Sequence, residues 1–135
     1  MNIVAKQIPD PDGIALIIFS SETDIRWLRI LKRGFRHCFA CIRTHGQWIF
    51  YDPLAHTTCL SVCSGMDSID LEFWFRQQGF RVMRTKIQPA PQEKLSPALF
   101  TCVEAVKRIL GIRSLLILTP WQLYKHLNTA SEREK

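Results

Sequence analysis

Long apolar runs are missing from this chain of 135 residues. None approaches the roughly 18 residues of a membrane-crossing helix, so no membrane span is expected. The first twelve residues carry Lys6, Asp10 and Asp12 and lack the apolar core of a signal peptide. The expectation is a soluble, non-secreted product of the cytoplasm. The spacings of zinc-binding knuckles are also missing. Cys38 and Cys41 give C-x2-C, but positions three apart on a strand point to opposite faces. His56, Cys59 and Cys63 give H-x2-C-x3-C, in which only the two cysteines can share a strand face. No metal and no cofactor are therefore expected. Internal repeats and low-complexity segments are absent as well, which excludes solenoids and tethers.

What is present suits one folded domain over residues 1–135. Apolar residues make up 47% and charged residues 22%, ordinary values for a globular protein with a single core. Five cysteines is an odd number, and without a secretion signal reduced thiols are the default. The net charge is +6, and Arg26, Arg29, Lys32, Arg33, Arg36 and Arg43 supply a third of the eighteen basic residues. On a helix, positions 26, 29 and 33 form one stripe. That basic face could attract nucleic acid or another polyanion, although no nucleic-acid motif accompanies it and a solvated helix face accounts for it equally.

Gly13 to Phe19 reads as an apolar strand after a turn at Pro9 to Gly13. Ile25, Leu28 and Leu31 predict a helix from about Asp24 to Lys32, stopped near Gly34. Arg36 to Arg43 and Trp48 to Asp52 predict two strands joined through Thr44-His45-Gly46-Gln47 as a hairpin. Thr57 to Cys63 predicts a third strand. A helix opens at Ser68 and ends at Gly79, with Phe73, Trp74 and Phe75 expected in the core. A strand follows at Phe80 to Ile87, then a loop with three prolines between Gln88 and Pro97. A helix spans about Thr101 to Leu110, with Gly111 as its stop. Leu115 to Leu118 is a short strand or connector, and a last helix runs from Pro120 to about Leu127, with Trp121 as its docking residue. Residues 1–12 form a leading arm, and the polar tail 129–135 is expected to fray. The fold class is α+β, a small antiparallel sheet packed against helices.

Two segments carry chemistry. Cys102 lies in the first turn of its predicted helix, where unpaired N–H groups favour a thiolate. The other cysteines lie on strand candidates, where no such field exists. His37 shares a strand face with Phe35, Phe39 and Cys41. A two-residue turn at His45-Gly46 or Gly46-Gln47 puts Trp48, Phe50 and Asp52 on that same face, whereas a three-residue turn would remove Asp52. A carboxylate beside the His37 Nδ1 would then support an imidazolium. Each residue also has a structural reading: Cys102 as a small core residue, His37 as a satisfied strand histidine, Asp52 as a turn residue before Pro53. Tyr51 and Trp48 flank the proposed site, and one of the two should face the sheet's other side.

The segments GFRHCFACIR, GQWIFYDPL, SPALFTCVEAVKRILGI and LTPWQLYKHL resemble small proteins of the NlpC/P60 (papain-like) superfamily in its permuted form. The resemblance spans about residues 34–127. It implies a permuted papain-like fold with Cys102 as nucleophile, His37 as general base and Asp52 as third polar residue. In that family the third residue usually lies about a dozen positions after the histidine. Here that position is Ile49, and Asp52 is fifteen on, with His56 as a second candidate. The implied activity is that of a thiol hydrolase or acyltransferase on an amide, ester or peptidoglycan-like substrate, in a bacterial or phage setting, with the product either cytoplasmic or part of a phage virion. The alternative is an inactive papain-like module that joins virion or cellular proteins. The backbone N–H of Cys102 is the one oxyanion donor that position supplies; Gln47 and Gln92 are side chains with no firm place in the site.

Overall fold

The computed structural model describes residues 13–23, 26–53, 57–88 and 101–133. Its centre is a five-stranded antiparallel sheet made of β1 (Ile14–Ser20), β2 (His37–Thr44), β3 (Gln47–Pro53), β4 (Thr58–Ser64) and β5 (Arg81–Lys86). The strand order is β4-β3-β2-β1-β5. Three α-helices accompany it: α1 (Ser68–Gln77), α2 (Cys102–Leu110) and α3 (Pro120–Arg133). The α+β class expected from the sequence is thus the observed one.

Both faces of the sheet are covered. Cys38 and Ala40 of β2 join Ala15, Ile17 and Phe19 of β1 against Val103, Val106 and Leu110 of α2 and Leu123 and Leu127 of α3. Cys41, Leu16, Ile18 and Trp48 pack on the opposite face against Leu71 and Phe75 of α1. That arrangement explains β1, whose sequence IALIIFS is buried over six of seven positions without alternation, as a strand covered on both faces must be. It also places Cys38 and Cys41 in different cores, as their spacing required.

The β2–β3 hairpin turns on two residues. His45 and Gly46 have φ of 48° and 74°, the left-handed pair of a type I′ turn, whose twist matches the strands it joins. The register therefore runs from Thr44↔Gln47 to Ala40↔Tyr51. Pairs sum to an odd number, so odd positions of β2 share a face with even positions of β3. Trp48 is fully buried on the α1 face, where its indole N–H donates to the Met66 carbonyl at 3.1 Å. Tyr51 lies on the other face.

Several expectations are corrected. The helix expected over Asp24 to Lys32 is instead a five-residue 3-10 turn, Arg26–Ile30. Ile30 of that turn is 84% exposed, and Asp24 and Ile25 lie outside the described residues. The basic stripe at 26, 29 and 33 consequently does not form on an α-helix, and Lys32 instead sets its ammonium 3.2 Å from the Trp121 ring centre. Phe73 and Trp74 are exposed, and of that aromatic triplet only Phe75 enters the core, because α1 meets the sheet along the stripe Ser68, Leu71 and Phe75. Of the two readings for Leu115 to Leu118, short strand or connector, the connector is the one observed. The last helix continues past Leu127 to Arg133, so residues 129–133 of the tail are helical. Side-chain bonds from Thr129 to the Lys125 carbonyl and from Asn128 to Glu132 accompany that extension. The leading arm, the proline-rich loop, Gln92 and His56 lie outside the described residues. No described helix is long and apolar enough to cross a membrane.

Candidate active site

Helix α2 begins where the sequence chemistry requires. Thr101 is its N-cap, with its hydroxyl accepting from the Glu104 N–H at 3.2 Å. Cys102 is therefore the first helical residue, beside N–H groups that have no intrahelical acceptor. Glu104 in the first turn and Lys107 and Arg108 in the last complement the helix dipole. Gly111 ends the helix at φ 73°, and a Cβ there would lie 3.0 Å from the Gln88 carbonyl oxygen. Lys107 is buried and donates to Glu104 at 2.9 Å and to the Ile117 carbonyl at 3.2 Å, tying the helix to the connector before α3.

The helix packs on β2 and β3. His37 is the first residue of β2 and Asp52 the sixth of β3. The odd-sum register gives them one face, and the imidazole Nε2 donates to the Asp52 Oδ1 at 2.6 Å. The nitrogen facing the carboxylate is Nε2, not the Nδ1 anticipated. His37 also lies near Phe39, with ring centres 6.3 Å apart and planes inclined by 31°.

Electrostatics divides the thiols. The Cys102 thiol is drawn down to about 5. The hydrogen bond from the Cys38 side chain is the largest influence; burial opposes it; the bond and positive charge of His37 and the backbone N–H of Cys38 complete the shift. Burial pushes His37 downward, but its bonds to Asp52 and Cys102, and the charge on each, overcome that and carry it up to about 9. Between those values the pair rests as thiolate and imidazolium. Cys38 is fully buried, and its thiol is raised far above the usual range, chiefly by that burial and then by its contact with Cys102. It stays protonated and offers its S–H to the thiolate.

The three residues singled out in the sequence thus meet at one end of the sheet. Cys38 was missed. The pleat sends it to the face opposite His37, so strand alternation separates the two. Only at the strand's first residues, where the α2 N-terminus comes down on them, do both reach one sulfur. The sequence signal available was adjacency to His37 and nothing stronger. Cys59 is exposed on β4, where it is the register partner of Asp52, and Cys63 is half-buried further along the same strand. Among the described residues no three His, Cys, Asp or Glu side chains are grouped as metal ligands. No family model matches the chain, and neither a curated protein nor a solved structure shows significant similarity to it.

Proposed function

We propose that the chain is a thiol hydrolase or acyltransferase of permuted papain-like fold, acting on an amide or ester carbonyl through Cys102, His37 and Asp52. One observation carries this reading: at the first residue of α2 Cys102 meets His37, whose ring is held by Asp52 at 2.6 Å, and that contact lowers the thiol and raises the imidazole. A structural cysteine in a core has no use for such a pair, and burial alone would push its thiol up, as it does for Cys38.

The chemistry follows from the resting charges. No proton need leave Cys102 during attack, because His37 already holds it. The Cys102 sulfur adds to the carbonyl carbon, and the carbonyl π pair moves onto oxygen. The unpaired N–H groups of the α2 terminus face the resulting oxyanion. His37 then gives its proton to the leaving amine or alkoxide as the C–N or C–O bond breaks, leaving a thioester on Cys102. Neutral His37 next takes a proton from water or from an acceptor hydroxyl or amine, whose oxygen or nitrogen attacks the thioester and restores the thiolate. Asp52 holds the imidazole plane through Nε2 and favours its charged form. The nature of the acceptor separates hydrolysis from acyl transfer.

The runner-up, an inactive papain-like module joining virion or cellular proteins, draws on exposed apolar side chains such as Leu60, Val62, Leu116 and Leu118, but leaves the thiolate–imidazolium pair without a purpose. The test is the rate of Cys102 alkylation against pH, read by peptide mass spectrometry, followed by capture of a thioester on Cys102 from activated esters. Titration near 5 together with an acyl adduct on Cys102 supports catalysis. A Cys102 that stays inert below pH 8 refutes it.

A further inference from the structure

The two edges of the sheet are protected unequally. β5 closes one side and carries Arg81, Arg84 and Lys86, with Arg84 also bound to Glu72 of α1 at 3.1 Å. Charges of this kind keep an edge from pairing with another chain. β4 closes the other side with the sequence TCLSVCS, which has no charge, no proline and no glycine, and six of its seven residues are exposed. Leu60 and Val62 are 67% and 63% exposed. They continue the apolar floor made by Ile42, Ile49 and Tyr51 beneath Ile109 of α2, an open groove of about 410 Å³.

The strand is also symmetric about its centre. Reading outward from Ser61, Leu60 mirrors Val62, Cys59 mirrors Cys63, and Thr58 mirrors Ser64. Such a strand is complementary to itself when it runs antiparallel to a second copy, the relation that a two-fold axis imposes. We propose that the chain forms a two-fold dimer in which β4 pairs with β4 of a second copy in the register centred on Ser61, giving a continuous ten-stranded sheet. In that register Leu60 of each copy faces Val62 of the other, so four exposed apolar side chains become one strip on the α2 face. Cys59 of each copy faces Cys63 of the other on the opposite face. No charge meets a like charge across the axis, and the unpaired N–H and C=O groups of both edges are satisfied. The dimer is independent of the catalytic reading, since no residue of β4 belongs to the charge pair.

The two cysteines provide a register-specific test. Within one chain Cys59 and Cys63 stand about 13 Å apart along the strand, too far for a disulfide. Cys59→Ser and Cys63→Ser variants are prepared separately, then mixed, and oxidised mildly with a copper–phenanthroline catalyst. The expected result is an interchain Cys59–Cys63 disulfide in the mixture and none through these positions in either variant alone. Sedimentation velocity of the reduced wild-type chain should show a mass of twice 15.7 kDa that falls with dilution. Leu60→Lys together with Val62→Lys should return it to monomer at the same concentration, with unchanged far-ultraviolet circular dichroism. A wild-type chain that stays monomeric across the concentration series overturns the proposal and leaves the edge to a strand from a different protein. A dimer that survives both lysines, or cross-links without regard to this pairing, overturns it as well.

Discussion

Cys38 and Cys102 touch one another, both lie out of bulk water, and they differ in nearly every chemical respect. Cys38 is in the middle layer, on β2, and burial leaves its thiol protonated. Cys102 is only partly buried, at the first residue of a helix, and its sulfur receives hydrogen bonds from the Cys38 side chain and backbone and from a charged imidazole. Desolvation acts on both in the same direction. What separates them is the supply of donors and positive charge around the sulfur, which Cys102 receives from Cys38 and His37 of β2 and Cys38 does not receive in return. A low thiol pKa is thus a property of which side chains a neighbouring element brings to the sulfur.

The contrast can be broken most severely at the sulfur itself. Cys102→Ala should remove acyl transfer by at least about four orders of magnitude, the scale seen when a covalent nucleophile is deleted, while Cys102→Ala and wild type keep the same thermal midpoint within a few degrees. Turnover of activated esters, with a melting curve alongside, checks both halves. Next comes His37→Ala. Its loss removes the charge facing Cys102, so the thiol should climb back toward about 8.5, and alkylation at pH 6 should fall on the order of 100-fold. An unchanged rate would mean that the helix terminus and Cys38 suffice alone.

The pH profile of kcat/KM tests the pair as a unit. Activity needs Cys102 without its proton and His37 with it, so the rate should rise as pH passes upward through about 5 and fall as it passes through about 9. Asp52→Asn keeps the hydrogen-bonding shape but removes a negative charge that raises His37. The upper limb should therefore move to lower pH, by about one unit, with the lower limb less affected. A profile whose upper limb does not move would show that Asp52 orients the ring without setting its charge.

Cys38→Ala is the most direct sharpening. The Cys38 thiol is the largest influence on Cys102, yet S–H is a weak donor and the backbone N–H survives in the variant. Alkylation of Cys102 at pH 6 should drop by about tenfold or less, well short of His37→Ala, and a greater drop would rank the thiol above the imidazole. The smallest effect is expected at the cap. Thr101→Ala removes the bond to the Glu104 N–H and should cost about 1 kcal/mol of stability, seen as a drop of a few degrees in thermal midpoint, with the Cys38 environment untouched.

Local chemistry made much of this legible before the fold was known. A two-residue turn after Thr44 puts Asp52 on the face of His37, a reading the sequence held open against a three-residue turn and the structure resolves. Thr101 and Gly111 bracket the helix because a hydroxyl and a left-handed residue are what its two ends need. Elements that depend on distant partners were less readable. Ile25, Leu28 and Leu31 have helical spacing, yet Arg26–Ile30 forms only a 3-10 turn. Phe73 and Trp74 are as apolar as Phe75, and which of the three is buried depends on where α1 meets the sheet. The strand order was not legible either, since β5 pairs with β1 across more than sixty residues of intervening chain.

By itself the sequence determined the thiol at a helix start and the cap residues that bracket that helix, and it offered the histidine and the carboxylate one sheet face on condition of a two-residue turn, because each rests on contacts within a few residues. The tertiary structure alone decided that α2 comes down on the first residues of β2. That packing brings Cys38 and His37 to one sulfur, assigns Nε2 to Asp52, and leaves β4 as an uncharged edge. Such outcomes depend on which face of each element is covered, and burial is a property of the assembled layers that no local stretch of chain contains.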